Sequence, residues 1–137
     1  MLGRETPPER LLALRATCAS MAQMILDEWQ QDADGMDPLL GAGGACDLVA
    51  SAICAGLCDA GVEAVVTGTE FDGGHAFVHA LVDGVVWSVD IPARIYETGY
   101  GYVWTKRPGV VLTPDDVTLL AVATHTDPST FADTFSG

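Results

Sequence analysis

Asp83 and Gly84 constrain this chain more than any other pair of residues. Both tolerate a positive φ, and an Asp-Gly pair between apolar runs is a strong signal for a two-residue hairpin turn. The flanking runs, Gly74–Val82 and Val85–Asp90, are rich in β-branched and aromatic residues. A two-residue loop sets the register by counting: Val82 opposite Val85, Leu81 opposite Val86, His79 opposite Ser88, Phe77 opposite Asp90. Paired residues share a face and faces alternate along a strand. His75, Phe77, His79 and Leu81 are therefore expected on one face with Val86, Ser88 and Asp90. His75 and Asp90 become diagonal neighbours, roughly 7–8 Å apart at the backbone.

Upstream of this hairpin the apolar period is helical. Thr6-Pro7-Pro8-Glu9 has the pattern of a helix start, with Thr6 as N-cap, Pro7 at the first position and Glu9 completing a capping box. Leu11, Leu14, Cys18, Met21, Ile25 and Trp29 then recur every three or four residues, which predicts an amphipathic helix to about Gln31. A turn-rich link, Asp32 to Pro38, leads to Gly43-Gly44-Ala45-Cys46-Asp47. A second helix follows from Cys46, with Gly61 as the residue that ends it. Val62–Thr67 is the first expected strand, and Gly68–Gly74 a loop. Downstream, Arg94–Gly101 is irregular, Tyr102–Lys106 is strand-like, and Thr113–Asp116 is a turn before a strand over Val117–Val122. His125–Gly137 is expected as a flexible tail ordered only by docking. Helices first and an antiparallel sheet after them make this an α+β chain of one domain, 1–137, with its core over about 43–92.

The balance of 6 Lys+Arg against 19 Asp+Glu leaves a net charge of −13. Phosphate backbones and anionic lipid surfaces repel such a chain, so neither nucleic acid nor membrane is an expected partner. The longest apolar stretch, Leu48–Val66, is interrupted by Asp59, Gly61 and Glu63, against a membrane span. Four cysteines, Cys18, Cys46, Cys54 and Cys58, do not form a secreted disulfide framework. With no basic and apolar leader in the first residues, a cytoplasmic setting is expected.

Cys46 follows a glycine pair and opens a helix. Unpaired N–H groups and the helix dipole at that position favour a thiolate. With His75 and Asp90 it forms a candidate catalytic set. Cysteine attacks an acyl carbon, histidine holds the thiolate as ion-pair partner and protonates the leaving group, and aspartate fixes the imidazole tautomer. The backbone N–H of Cys46 is an oxyanion donor at that site. The bland alternatives are a small buried cysteine, a packed strand histidine and an aspartate that caps the turn before Pro92. His79 lies about 13 Å along the strand from His75 and is read as a packed or partly exposed histidine, with Ser88 as its expected partner. Cys54 and Cys58 share a helical face, but small core residues at that spacing are commoner than metal ligands, so no metal site is assigned. Tyr96, Tyr100, Tyr102 and Trp104 follow as an aromatic wall or as ordinary edge packing.

Three segments carry a resemblance: Gly44-Ala45-Cys46 at a helix start, His75-Ala-Phe-Val-His-Ala-Leu-Val-Asp-Gly84, and Val85-Val-Trp-Ser-Val-Asp90-Ile-Pro92. Together they resemble the transglutaminase-like superfamily of papain-type cysteine enzymes, in which a helix-borne Cys precedes a strand His and then an Asp on the next strand. The resemblance implies a transglutaminase/papain-like core and assigns Cys46 as nucleophile, His75 as general acid/base and Asp90 as orienting residue. Trp87 stands three residues before Asp90, one place later than that pattern has its aromatic, and no glutamine shortly precedes Cys46.

The expected activity is thiol-dependent acyl chemistry on a peptide, protein or small amide or ester substrate, without a cofactor. Hydrolysis by a cysteine peptidase or amidase is favoured over acyl transfer to an amine, because no acyl-acceptor pocket is evident in the sequence. The rival is a non-catalytic protein whose acidic surface takes a basic protein partner. A third reading makes Cys46 a reversible thiol switch.

Overall fold

The computed structural model describes residues 6–32, 46–68, 76–92 and 111–135. Helix α1 spans Glu9–Asp32 and helix α2 spans Cys46–Asp59. Strands β1 (Glu63–Gly68), β2 (Ala76–Val82), β3 (Val85–Asp90) and β4 (Thr118–Ala123) follow, and helix α3 covers Pro128–Phe135. The strands form one antiparallel sheet in the order β1-β2-β3-β4. Three helices and this sheet make the described chain a mixed α+β fold.

Helix α1 begins later than the capping pattern suggests. The Leu12 amide donates to the Pro8 carbonyl at 3.0 Å, so Pro8, not Thr6, supplies the first helical acceptor. The cause is local: Pro7 precedes a proline, and that position is pushed out of the helical region. Along α1 the buried residues are Leu11, Cys18, Ala19, Ala22 and Leu26, with Leu14 and Ile25 packed at the margin. The small alanines make room for α2, which runs antiparallel to it. Gly56 of α2 is buried, and a Cβ there would meet Met21 Cγ at 3.2 Å. At the other end of the pair Arg10 donates to the Gly61 carbonyl at 2.8 Å.

Helix α2 ends as the sequence suggests. Gly61 adopts φ 85°, its amide donates to Cys58 O at 3.0 Å, and the Val62 amide donates to Leu57 O at 3.0 Å. This is a Schellman close, with glycine where an L side chain is strained. The chain then reverses into β1, which returns along α2. Helix α2 and β1 have similar lengths, both about 20 Å. Gly68, its ladder partner Ala76 and the end of β3 at Asp90 thus gather at the end of the sheet where α2 starts.

The hairpin register is the one obtained by counting. Val82 pairs with Val85, Leu81 with Val86, His79 with Ser88 and Val78 with Val89. Asp83 and Gly84 have φ 52° and 80°, both positive as a type I′ turn requires. On β4 an extra residue interrupts the ladder, because Val86 pairs with Ala123 while Trp87 pairs with Ala121. Val122 is the bulged residue.

The two faces of the sheet carry separate apolar clusters. Ala76, Val78, Ala80, Val82, Trp87 and Val89 face Val49, Ile53 and Leu57 of α2 in the larger one. Trp87 is 2% exposed, and its Nε1 finds no hydrogen-bond partner among the described residues. On the other face Leu81 and Val86 bury Phe131 of α3. The segment expected as a flexible tail is thus a docked helix. Asp127 caps it by accepting from the Ser129 amide at 3.0 Å, and Pro128 stands at its first position.

Before β4, the residues expected as a turn form a short 3₁₀ turn at Pro114–Asp116. Asp116 Oδ2 accepts from the Thr113 amide at 2.8 Å. Arg15 of α1 ties this segment down, donating to Val117 O from Nε at 3.2 Å and from Nη2 at 3.1 Å. Gln23 Oε1 accepts from the Leu112 amide at 2.7 Å. The link after α1, the Gly43-Gly44 pair, most of the Gly68–Gly74 loop, the Arg94–Gly101 stretch, the Tyr102–Lys106 strand and the aromatic wall lie outside the described residues.

Candidate active site

Cys46 is the first residue of α2, as its place after the glycine pair suggests. Its backbone sits in the first turn, where N–H groups lack helical acceptors. Its side chain, like all of His75, lies outside the described residues. Ala76, the residue after His75, opens β2 and is buried.

Asp90 closes β3 and is half-buried. One position beyond the Val78–Val89 pair, the same register sets Asp90 opposite Phe77. Its Oδ1 accepts from the Ile91 amide at 2.8 Å, the turn-capping bond that an aspartate before Ile-Pro can make. The Asp90 carbonyl accepts from the Thr118 hydroxyl at 3.1 Å, which holds β4 against this end of β3. Along the strand Trp87, Val89 and Ile91 enter the core under the helices. By alternation Asp90 falls with Ser88 on the face away from α2. The backbone start of α2 and this carboxylate thus lie toward opposite faces at one end of the sheet. His75 precedes Ala76 in the sequence.

His79 is the packed histidine expected, with a different partner. Its Nδ1 lies 3.1 Å from the Phe135 carbonyl, and its ring stands edge-on to Phe77 and Phe135 at centroid distances of 5.2 and 5.3 Å. Ser88 is its ladder partner through the backbone. The polar tail hid this arrangement, although Phe131 and Phe135 at a four-residue spacing were its signal.

The remaining thiols are distinguishable. Burial pushes Cys18 up to about 11. Cys54 is also pushed up to about 11, first by burial and then by its contact with Cys58. Cys58 is exposed, and its thiol donates to the Ala64 carbonyl at 3.6 Å. No group of three or more His, Cys, Asp or Glu side chains suited to a metal occurs among the described residues. A shallow groove of about 680 Å³ runs between α1 and residues 111–114, lined by Ala16, Ala19, Gln23, Met24 and Leu112 among others. Its one titratable lining residue among those described, Asp27, accepts from Gln23 Nε2 at 2.9 Å. Ser20 also lines it, and none of the sequence-predicted site residues does.

No helix among the described residues is long and apolar enough to cross a membrane. Comparison of the chain with protein-family models, with curated proteins and with solved structures finds no match.

Proposed function

We propose that this chain performs thiol-dependent acyl chemistry on an amide or ester, with Cys46 as nucleophile, His75 as general acid/base and Asp90 as the residue that orients the imidazole. The fold would then be a small transglutaminase/papain-like one. The observation that supports this most is the β2–β3 register, with Asp90 ending β3 at the end of the sheet where α2 begins with Cys46. In the reaction, Cys46 Sγ bonds to the acyl carbon as thiolate while the developing oxyanion takes the Cys46 N–H. The His75 imidazolium gives its proton to the leaving amine or alcohol as that bond breaks. Water then attacks the thioester, loses a proton to His75, and releases the acid and the thiolate. An amine in place of water yields acyl transfer. The mechanism needs no cofactor.

The test is alkylation of each cysteine by iodoacetamide against pH, read by peptide mass spectrometry, in the protein and in His75→Ala. The expected result is that Cys46 reacts well below the ordinary thiol range near pH 8.5 and loses that reactivity in the variant. Equal reactivity of Cys46 and Cys18 across the range overturns the proposal. The net charge of −13 favours one other reading, an acidic interaction protein with a basic protein partner. In that case Cys46→Ala leaves partner capture intact.

A further inference from the structure

Asp90 and Thr118 end the β3–β4 ladder: β3 stops at one and β4 starts at the other. Pro92 has no amide with which to carry the ladder further. The peptide between Asp90 and Ile91 is pinned there by side chains. Its carbonyl accepts from the Thr118 hydroxyl at 3.1 Å. Its N–H donates to the Asp90 carboxylate, at Oδ1, over 2.8 Å. The Ile91 side chain that follows is buried in the main core. The carbonyl and N–H of a trans peptide lie in one plane and point in opposite directions. A hydroxyl that fixes this carbonyl therefore fixes where the N–H points, and with it the carboxylate that the N–H holds. Thr118 is itself firmly placed. The residue before it, Val117, is buried, donates its amide to Pro114 O at 3.1 Å and accepts from Arg15 Nε and Nη2 at 3.2 and 3.1 Å. The residue after it, Leu119, packs against the main core. The Thr118 side chain is exposed and belongs to neither apolar cluster of the described residues, so packing does not explain it.

We propose that Thr118 is a positioning residue for Asp90, acting through the Asp90–Ile91 peptide to hold the carboxylate in the orientation that the imidazole of His75 requires. The inference rests on the reading of Cys46, His75 and Asp90 as one site. An orienting carboxylate is useful only while its own rotamer is locked, which is the work of the hydrogen bonds behind it. Asp90 stands at a strand end, where the ladder alone gives least restraint. The Thr118 hydroxyl supplies that restraint from the neighbouring strand, and Arg15 of α1 braces the strand start from which it comes. The role needs the hydroxyl and not the bulk of the side chain, so serine should serve in its place and valine should not.

The experiment is the rate of Cys46 alkylation by iodoacetamide against pH, for the full chain unaltered and for Thr118→Val, Thr118→Ser, Asp90→Asn and the double variant Thr118→Val with Asp90→Asn. Below the ordinary thiol range near pH 8.5, Thr118→Val should slow Cys46 while Thr118→Ser keeps the unaltered profile. The loss should be about 2- to 10-fold, the worth of one hydrogen bond. Because Thr118 acts through Asp90, adding Thr118→Val to Asp90→Asn should slow Cys46 no further. A second measurement does not depend on the thiol: hydrogen exchange at the Ile91 amide should quicken in Thr118→Val and not in Thr118→Ser, with the Val78 and Val89 amides unchanged in both. An unaltered profile in Thr118→Val beside a loss in Asp90→Asn overturns this inference and leaves the reading of the site standing. So does a double variant in which the two losses multiply, or an Ile91 amide equally protected in Thr118→Val and Thr118→Ser. A Cys46 that is unreactive below the ordinary range in the unaltered chain overturns the reading of the site, and this inference with it.

Discussion

On the face of the sheet under α1 and α2, a continuous cluster runs from Leu11 through Val49, Ile53 and Leu57 to Trp87 and Val89. On the opposite face the buried cluster among the described residues is Leu81, Val86 and Phe131, with Val65, Val122, Ala123 and Phe135 at the margin. The first face joins elements distant in sequence, from residue 11 to residue 121. The second holds one eight-residue helix by one buried aromatic ring, the contact of His79 with Phe135, a capping aspartate and the Thr126–Gly84 bond of 2.8 Å. The difference separates what makes the domain cooperative from what is added to it. Loss of α3 exposes a patch, whereas loss of α2 removes the partner of two strands.

The largest expected effect tests that separation directly. Ile53→Ala should destabilise the whole domain by about 2–5 kcal/mol, because it opens a cavity that the sheet and helices cannot collapse. Denaturant melts followed by fluorescence and by far-ultraviolet circular dichroism should shift together. Phe131→Ala should cost less, about 1.5–3 kcal/mol, the worth of burying one such side chain. Hydrogen exchange should then show α3 deprotected while β2 and β3 stay protected. If Phe131→Ala also deprotects α2, the two faces are one cooperative unit and the comparison fails.

Gly61→Ala should fall lower, at about 1–2 kcal/mol, for forcing an L side chain to a positive φ. The new Cβ would also meet Arg10 Nη2 at 3.2 Å, at the bond that joins α1 to the end of α2. Thermal melts check this, and a neutral outcome would mean that the α2–β1 turn adapts without strain.

The smallest effects are those of pH, and they too divide between the faces. Cys18 and Cys54, on the helix-covered side, have values raised from 9.0 to about 11. The folded state keeps these protons longer than the unfolded one, so stability should be level below pH 9 and fall as pH rises toward 11. Asp127, at the start of α3, has its value lowered from 3.8, first by the Ser129 backbone hydrogen bond. Its contribution is present above the unfolded value and lost as pH falls through the lowered one. Acid should therefore loosen α3 and leave the surroundings of Cys18 protected, with exchange in residues 128–135 as the readout. Equal loosening of α2 and α3 in acid would contradict the assignment.

How much of this was legible depended on how local each cause is. The β2–β3 hairpin was readable because Asp83-Gly84 and a two-residue count leave little freedom. The end of α2 at Gly61 and the turn at Thr113–Asp116 were readable for the same reason: turn residues act within a few positions. Helix α3 was missed because its apolar content is two phenylalanines whose worth depends on Leu81 and Val86, nearly fifty residues earlier. The start of α1 was misjudged because the second proline overrules the cap. Of the candidate site, the start of α2 at Cys46 and the end of β3 at Asp90 were legible. The carboxylate's bond to Ile91 was legible as the turn-capping alternative, but its place away from α2 was not. That follows from which face the helices cover, a choice made by packing.

The amino-acid sequence by itself determined the α+β order, the hairpin register and the acidic charge, because periodicity, turn chemistry and composition act locally or not at all through space. Only the tertiary structure decided that α1 and α2 cover one face, that Arg15 clamps the segment before β4, and that Phe131 docks on the other face. It also set the Cys58 thiol against the Ala64 carbonyl of β1. Each of these rests on contacts between distant parts of the chain. Their energy appears only when burial brings the partners together, so no local pattern announces them.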